Sequence, residues 1–145
     1  MRFREIVVFD DIVAEARTWI GTPFRWQQSA KGQGCDCKGL IAGVARAIGR
    51  PEGSSIYAMM SAEYRRGVDP HLLMRGLSEL FDRVETMEPG DVLLMQTGDK
   101  AQHLGIYVGG GRMIHTYGRG PRCVIEVPLI PNWPVVGIFR WRDNG

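Results

Sequence analysis

Three side chains of this 145-residue chain have the chemistry to break an acyl bond: the thiol of Cys37 and the imidazoles of His103 and His115. A thiolate is the nucleophilic form of cysteine, and an imidazole takes and returns its proton near neutral pH. A second imidazole beside the first fixes the tautomer and plane of the ring that moves the proton. Cys37 falls where a helical pattern begins, running through Leu40, Ile41, Val44, Ala45 and Ile48 and stopped by Gly49 and Pro51. At a helix start the backbone N–H groups and the positive end of the dipole favour a thiolate and offer a place for an oxyanion. With Lys38 next in sequence, these effects are expected to hold the thiol below its free pKa of about 8.5. The competing reading of Cys37 is a small buried hydrophobe, which is what most free cysteines are.

The histidines decide between the two. In HLGIYV, Leu104, Ile106 and Val108 alternate with His103, Gly105 and Tyr107, so one imidazole shares its strand face with a glycine. Gly109, Gly110 and Gly111 follow, and then RMIHT, in which Met113 and His115 lie on one face. If the three glycines form a three-residue loop, Val108 faces Arg112 and His103 lies opposite Tyr117 and diagonal to His115. Diagonal neighbours sit about 7–8 Å apart at the backbone, within side-chain reach. A two-residue loop would send His115 to the far face. Either histidine alone reads as a polar group at a sheet edge, and His71 in DPHLLM reads as a surface residue of a polar helix face.

These side chains need elements to position them. Ile12, Val13, Ala16, Trp19 and Ile20 recur at helical spacing after Asp10 and Asp11, with Gly21 and Pro23 as the stop. Phe24 to Asp36 reads as a loop, Ser61 to Tyr64 as helix, and Asp69 to Phe81 as a helix capped by Asp69 with Pro70 at its first position. After a turn at Pro89, Gly90 and Asp91, the runs VLLM, HLGIYV, RMIHTY, CVIEVPL and VVGIFRW read as short strands. Helices followed by strands predict an α+β fold, with N-terminal helices packed on a C-terminal antiparallel sheet and Cys37 at the start of the central helix. One domain over residues 1–145 is expected, since 44% hydrophobic content suffices for a core at this length.

Basic and acidic residues number 18 and 16 and are scattered, which argues against nucleic acid as a partner. No run approaches the roughly 20 apolar residues of a membrane span, and MRFREIVVFDD lacks the features of a signal peptide. Three cysteines, two of them separated by one residue, exclude a disulfide framework. Cys35 is expected to serve packing or loop chemistry and Cys123 to sit in a strand core. A zinc site drawn from Cys35, Cys37, His103, His115 or Cys123 is the metal-binding alternative, weakened by C-x-C spacing that is not the common C-x-x-C knuckle.

The string WIGTPFRWQQSAKGQGCDCKGLIAGV resembles the signature of NlpC-type cell-wall cysteine peptidases. In that family a Gly-Thr-Pro-Tyr-type segment precedes a loop, and Asp-Cys-Ser-Gly-Leu opens the catalytic helix; Asp36, Cys37, Lys38, Gly39 and Leu40 fill that motif here. EPGDVLLM resembles the family's strand entry, and HLGIYVGGGRMIHTY its catalytic-histidine strand followed by the strand of the third polar residue. The resemblance runs from about Val13 to Arg140 and implies a papain-like fold, with Cys37 as nucleophile, His103 as base and His115 as the orienting residue. It implies an amide bond of the peptidoglycan stem peptide as substrate, between D-glutamate and the diamino acid, with no metal or organic cofactor. Asp36, Phe24 and Lys38 are implied as substrate-binding. Two of these depart from the pattern: Phe24 stands where the family has a tyrosine that helps hold the amino end of the peptide, and Lys38 replaces a serine. More narrowly, GCDCKGL, the short length and the FRWR ending resemble stand-alone versions from tailed phages and gene transfer particles. That implies tail-tip or hub proteins as partners and a place in a virion tail, reached after assembly in the cytoplasm. The alternative is a non-catalytic structural or peptidoglycan-binding module of the same fold.

Overall fold

A computed structural model describes residues 11–50, 55, 72–98 and 100–142. The first helix, α1, covers residues 11–17 and turns Ile12 and Ala16 into the core. It ends where the Thr18 hydroxyl donates to the Glu15 carbonyl at 2.6 Å. The turn that follows leaves Ile20 48% exposed, although its spacing placed it on the apolar stripe. Asp10, the other expected cap, lies outside the described residues.

Phe24 to Asp36 is not wholly irregular. Two short strands, β1 (Ser29–Ala30) and β2 (Gly34–Cys35), pair antiparallel and fold the segment against the next helix. That helix, α2 (Cys37–Ala47), is buried continuously from Cys37 to Ala45, as expected of a helix covered on all sides. Gly43 and Gly39 permit the covering. A Cβ at Gly43 would lie 2.2 Å from the Trp19 ring, and one at Gly39 would lie 1.9 Å from the Gln28 carbonyl oxygen. Leu40, Ile41 and Val44 pack with Val92, Leu94, Leu104 and Ile106 of the sheet in one core cluster.

The third described helix, α3 (Leu72–Leu80), adds Leu73 and Leu77 to that core, with Phe81 just beyond its end. The expected cap Asp69, Pro70, His71 and the helix over Ser61 to Tyr64 lie outside the described residues. The sheet contains β3 (Asp82–Val84), β4 (Val92–Thr97), β5 (Lys100–Gly109), β6 (Arg112–His115), β7 (Ile125–Pro128) and β8 (Val135–Arg140). It is antiparallel throughout, in the order β3-β8-β4-β5-β6-β7. Strand β3 was not anticipated: it is three residues long, edge-placed and polar. Cys123 falls outside the strands, half-buried in an isolated bridge to Pro23, while Val124 takes the core position.

The turn before β4 is tied to the far end of the chain. The buried Asp91 carboxylate accepts from Arg140 Nε at 3.0 Å, from Arg140 Nη2 at 2.8 Å and from the Glu88 N–H at 2.8 Å. Trp141 Nε1 donates to the Gly90 carbonyl at 2.8 Å. Charge-assisted bonds of this kind hold buried carboxylates. Here they fix the entry to β4, which pairs β5 and thereby sets the position of His103.

Candidate active site

The register of β5 against β6 determines whether two imidazoles meet. Gly109 pairs with Arg112, so the connection has two residues, Gly110 and Gly111, both at positive φ (61° and 73°) as a type I′ turn requires. The expected three-residue loop is therefore not formed. Val108, however, is an extra residue between the pairs Tyr107↔Met113 and Gly109↔Arg112. This bulge offsets the shorter loop, and Ile106↔Ile114 keeps the register that puts His103 and His115 on one face. His103 Nε2 lies 2.8 Å from His115 Nδ1. Both rings are buried.

Because His103 uses Nε2 toward His115, its other nitrogen, Nδ1, is the one left to face outward. Outward is a cavity of about 310 Å³ lined by His103, Cys37, Asp36, Lys38 and Phe24 among others, and not by His115. The thiol enters this cavity from the start of α2. The backbone N–H groups of Leu104 and Lys38 bear on it, which ties the sulfur to the strand residue after His103.

Burial dominates the electrostatics. It pushes the Cys37 thiol up to about 11; Lys38 pulls it down, Asp36 pushes it further up, and the two N–H groups favour the thiolate. The expectation of a thiol below 8.5 is thus reversed, because removal from water outweighs the helix start and the lysine. Burial, then His115, then Lys38 lower His103 to about 3, and burial lowers His115 to about 4. Each of these shifts favours the uncharged form of its group.

Asp36 caps α2. Its Oδ1 accepts from the Gly39 N–H at 2.7 Å and its Oδ2 from the Gln27 N–H at 2.9 Å. Burial raises its pKa, against the pull of those two N–H groups. The carboxylate expected to bind substrate is therefore engaged first in holding the loop on the helix. Phe24 lines the cavity beside it, its ring edge-on to Trp26 at 5.1 Å. Lys38 is buried at the second position of α2 and lines the same cavity. Cys35, buried behind the site, is raised to about 12 by burial, then by Asp36 and Cys37. Among the described residues no three of His, Cys, Asp or Glu group as metal ligands.

Trp133 was not singled out in the sequence. Its ring lies 4.9 Å from His103, 5.6 Å from His115 and 4.8 Å from Tyr117, and Tyr117 lies 5.3 Å from His103. Two aromatic rings thus wall the imidazole pair and deepen its burial. The only sequence signal was a tryptophan between prolines ahead of a strand, in PNWPV. Arg122 was also unmarked. It holds φ 56°, unusual outside glycine, while its carbonyl accepts from the Phe24 N–H at 2.8 Å.

The family model for NlpC/P60 matches residues 21–127, which include Cys37, His103 and His115. The chain belongs to the NlpC/P60 family. It is 32% identical over 134 residues to "Probable endopeptidase Rv2190c" of Mycobacterium tuberculosis (strain ATCC 25618 / H37Rv), covering 90% of this chain and 29% of that protein. It is also 32% identical over 137 residues to the "Gamma-DL-glutamyl hydrolase" of Bacillus subtilis (strain 168), covering 92% and 29%. This NlpC/P60 chain spans less than a third of the length of either relative. Among solved structures, the NlpC/p60 domain of the peptidoglycan hydrolase SagA matches with a TM-score of 0.54 at 24% identity, over 83% of this chain and 88% of that one. RipD of Mycobacterium tuberculosis, a non-catalytic NlpC/p60 domain protein, matches with a TM-score of 0.60 at 16% identity, over 92% and 96%. Both likenesses show the papain-like α+β fold, which a hydrolase and a non-catalytic domain share. No helix among the described residues is long and apolar enough to cross a membrane.

Proposed function

We propose that this chain is a cysteine endopeptidase acting on the stem peptide of peptidoglycan, at the amide bond between D-glutamate and the diamino acid. The observation that carries the reading is the 2.8 Å contact between the two buried imidazoles, placed behind a cavity that Cys37 and His103 line together. The family and the hydrolase names of its relatives support the substrate class. In the tautomer that catalysis requires, His103 Nε2–H donates to His115 Nδ1 and His103 Nδ1 accepts the thiol proton. Burial disfavours charge on both groups, so His103 takes that proton as the sulfur attacks.

The C–S bond forms as the carbonyl electrons move to oxygen, where backbone N–H groups at the start of α2 receive the negative charge. His103 gives its proton to the departing amine, leaving a thioester on Cys37. It then takes a proton from water as the hydroxyl attacks the thioester, and returns one to sulfur. His115 keeps the ring aligned and accepts the hydrogen bond that strengthens when His103 is cationic. Muropeptides incubated with the native protein and with Cys37→Ala, then compared by mass spectrometry, test this. The native protein should release a fragment ending in D-glutamate, absent with the variant. Cleavage that persists in Cys37→Ala, or no cleavage by either, contradicts it, and the latter with retained peptidoglycan binding would favour the non-catalytic module.

Placement in a phage-like tail, docked on tip or hub proteins, is a separate proposal supported by the GCDCKGL and FRWR resemblance. Immunodetection in purified particles is the expected result. Its absence there would remove the proposal without touching the chemistry.

A further inference from the structure

The connection between β7 and β8 crosses the sheet on its histidine face. In the strand order, residues 129–134 carry the chain past β6, β5 and β4. Leu129 and Trp133 pack there on Leu93, Met95 and Met113. Met95 pairs with His103, so these side chains and the imidazole share a face. Three backbone bonds hold the crossing: the Leu129 N–H donates to the Gly111 carbonyl at 2.8 Å, the Trp133 N–H to the Ile130 carbonyl at 3.0 Å, and the Gln96 N–H to the Pro134 carbonyl at 2.9 Å. Pro131 and Pro134 lock their own φ on either side of the tryptophan. The indole is thereby fixed over the imidazole pair, its ring centre 4.9 Å from that of His103 and 5.6 Å from that of His115. It is half-exposed, while both imidazoles are buried. Neither Trp133 nor His115 lines the cavity that Cys37 and His103 share. Trp133 therefore stands between the pair and solvent, on the side away from the nucleophile.

We propose that Trp133 is a positioning residue that keeps water off the hydrogen bond between His103 and His115 and so holds the base aligned with the thiol. The inference rests on the proposed function for its reaction and adds a residue that touches neither substrate nor the reacting atoms. Among the described residues no carboxylate bonds either ring, so the orientation of His103 depends on His115. A water molecule at the pair would accept from His103 Nε2–H or donate to His115 Nδ1, and either exchange parts the rings. A bond between two neutral groups is strong in a dry surrounding and worth little where water offers equal partners. The indole supplies that dryness as a large rigid ring, and Tyr117, 4.8 Å from it and on the cavity lining, closes the other side.

Trp133→Ala removes the cover, and Trp133→Phe keeps an aromatic one. In the native protein with nitrogen-labelled histidine, the N–H between the two imidazoles should give a downfield proton resonance that exchanges slowly with solvent, identified by its loss in His115→Ala. The resonance should be lost to fast exchange in Trp133→Ala and persist in Trp133→Phe. On a stem peptide, Trp133→Ala should lose about 10-fold or more in kcat with KM unchanged, and Trp133→Phe should recover most of the loss. Where circular dichroism shows the alanine variant unfolded, Trp133→Leu, which keeps an apolar side chain for the Leu93, Met95 and Met113 cluster, is read by the same two measurements. A native protein without the protected resonance, a resonance that stays protected once the indole is gone, or a kcat equal to the native value overturns the positioning role and leaves the peptidase intact. Loss of protection in the variant, with no stem peptide cleaved by the native protein, overturns the peptidase and leaves the shielding of the pair standing.

Discussion

The two walls of the cavity are built on different principles. The sheet side presents His103, backed by His115, through strand register: one bulge at Val108 and one two-glycine turn put both rings on the same face. The helix wall presents Cys37 by a set of individual bonds. Asp36 holds the Gln27 and Gly39 N–H groups, Ser29 Oγ donates to the Gly39 carbonyl at 2.6 Å, and the Asp36 N–H donates to the Gln28 carbonyl at 3.2 Å. A register is all or nothing, because a slip of one residue reverses every side chain. A bonded loop is graded, since each lost bond costs about 0.5–1.5 kcal/mol and the rest remain. The sheet wall should therefore fail abruptly and the helix wall by degrees.

Inserting one alanine between Arg112 and Met113 should have the largest effect. With the two-residue turn and the Val108 bulge kept, every β6 side chain beyond the insertion reverses, His115 passes to the opposite face, and activity on a stem peptide should drop by about 10³-fold or more, as when an orienting partner is lost. Deleting Val108 instead leaves Tyr107↔Met113 and Gly109↔Arg112 in step and should keep the two rings together. Far-ultraviolet circular dichroism of the insertion variant should remain that of a folded α+β chain. An insertion variant that keeps its rate would show that register does not govern the site.

Next in size is His115. His115→Asn retains a side-chain oxygen that can accept from His103 Nε2–H, whereas His115→Ala leaves that group buried and unpaired at a cost of about 1–3 kcal/mol. The alanine variant should be the slower by about 10-fold or more in kcat, with KM little changed. Equal rates would mean that the 2.8 Å contact does not position the base.

On the helix wall, Gly39→Ala brings a Cβ to 1.9 Å from the Gln28 carbonyl oxygen, a backbone atom with nowhere to rotate. Overpacking of this kind costs about 1–3 kcal/mol, read as a lower urea midpoint with the Cys37 site still able to turn over. Stability unchanged from the native protein would show that the loop yields freely.

The two buried imidazoles also shape the acid limb of stability. His103 and His115 titrate near 3 and 4 in the folded chain against 6.5 when free. Between those values the unfolded chain binds more protons, so stability rises with pH through that window. Thermal midpoints should decline as pH falls below about 6.5 and flatten below about 3, with the raised Asp36 opposing the trend above its free value of 3.8. On the alkaline side the sign reverses. Cys37 and Cys35 stay protonated to about 11 and 12 when folded against 9.0 when free, so stability should decline above about pH 9. A thermal midpoint that does not decline between pH 6 and 4 would mean that the imidazoles are wetter than their burial implies.

Legibility in the sequence followed the same division. Alternation in HLGIYV and RMIHT marked the two strands, and helical spacing from Leu40 to Ile48 marked α2 and its thiol-bearing start. The bulge was not legible, because Val108 is an ordinary strand residue and only its pairing makes it extra. Ile20 was misplaced because spacing cannot tell where a helix ends and turns outward. The thiol pKa was misjudged for a related reason: the local sequence shows Lys38 and a helix start, but burial comes from distant segments such as β5. Asp36 acquires its capping role through contacts that no periodicity encodes.

Of the three cysteines, Cys37 alone is proposed as a nucleophile, with His103 as the base that makes it one. A stem-peptide electrophile carrying a vinyl sulfone in place of the scissile bond, followed by peptide mapping of the adduct, separates the three thiols. One adduct per chain is expected, on Cys37, lost in His103→Ala, with buried Cys35 and half-buried Cys123 unmodified. Modification of Cys123 ahead of Cys37, or of Cys37 at an unchanged rate without His103, would contradict it.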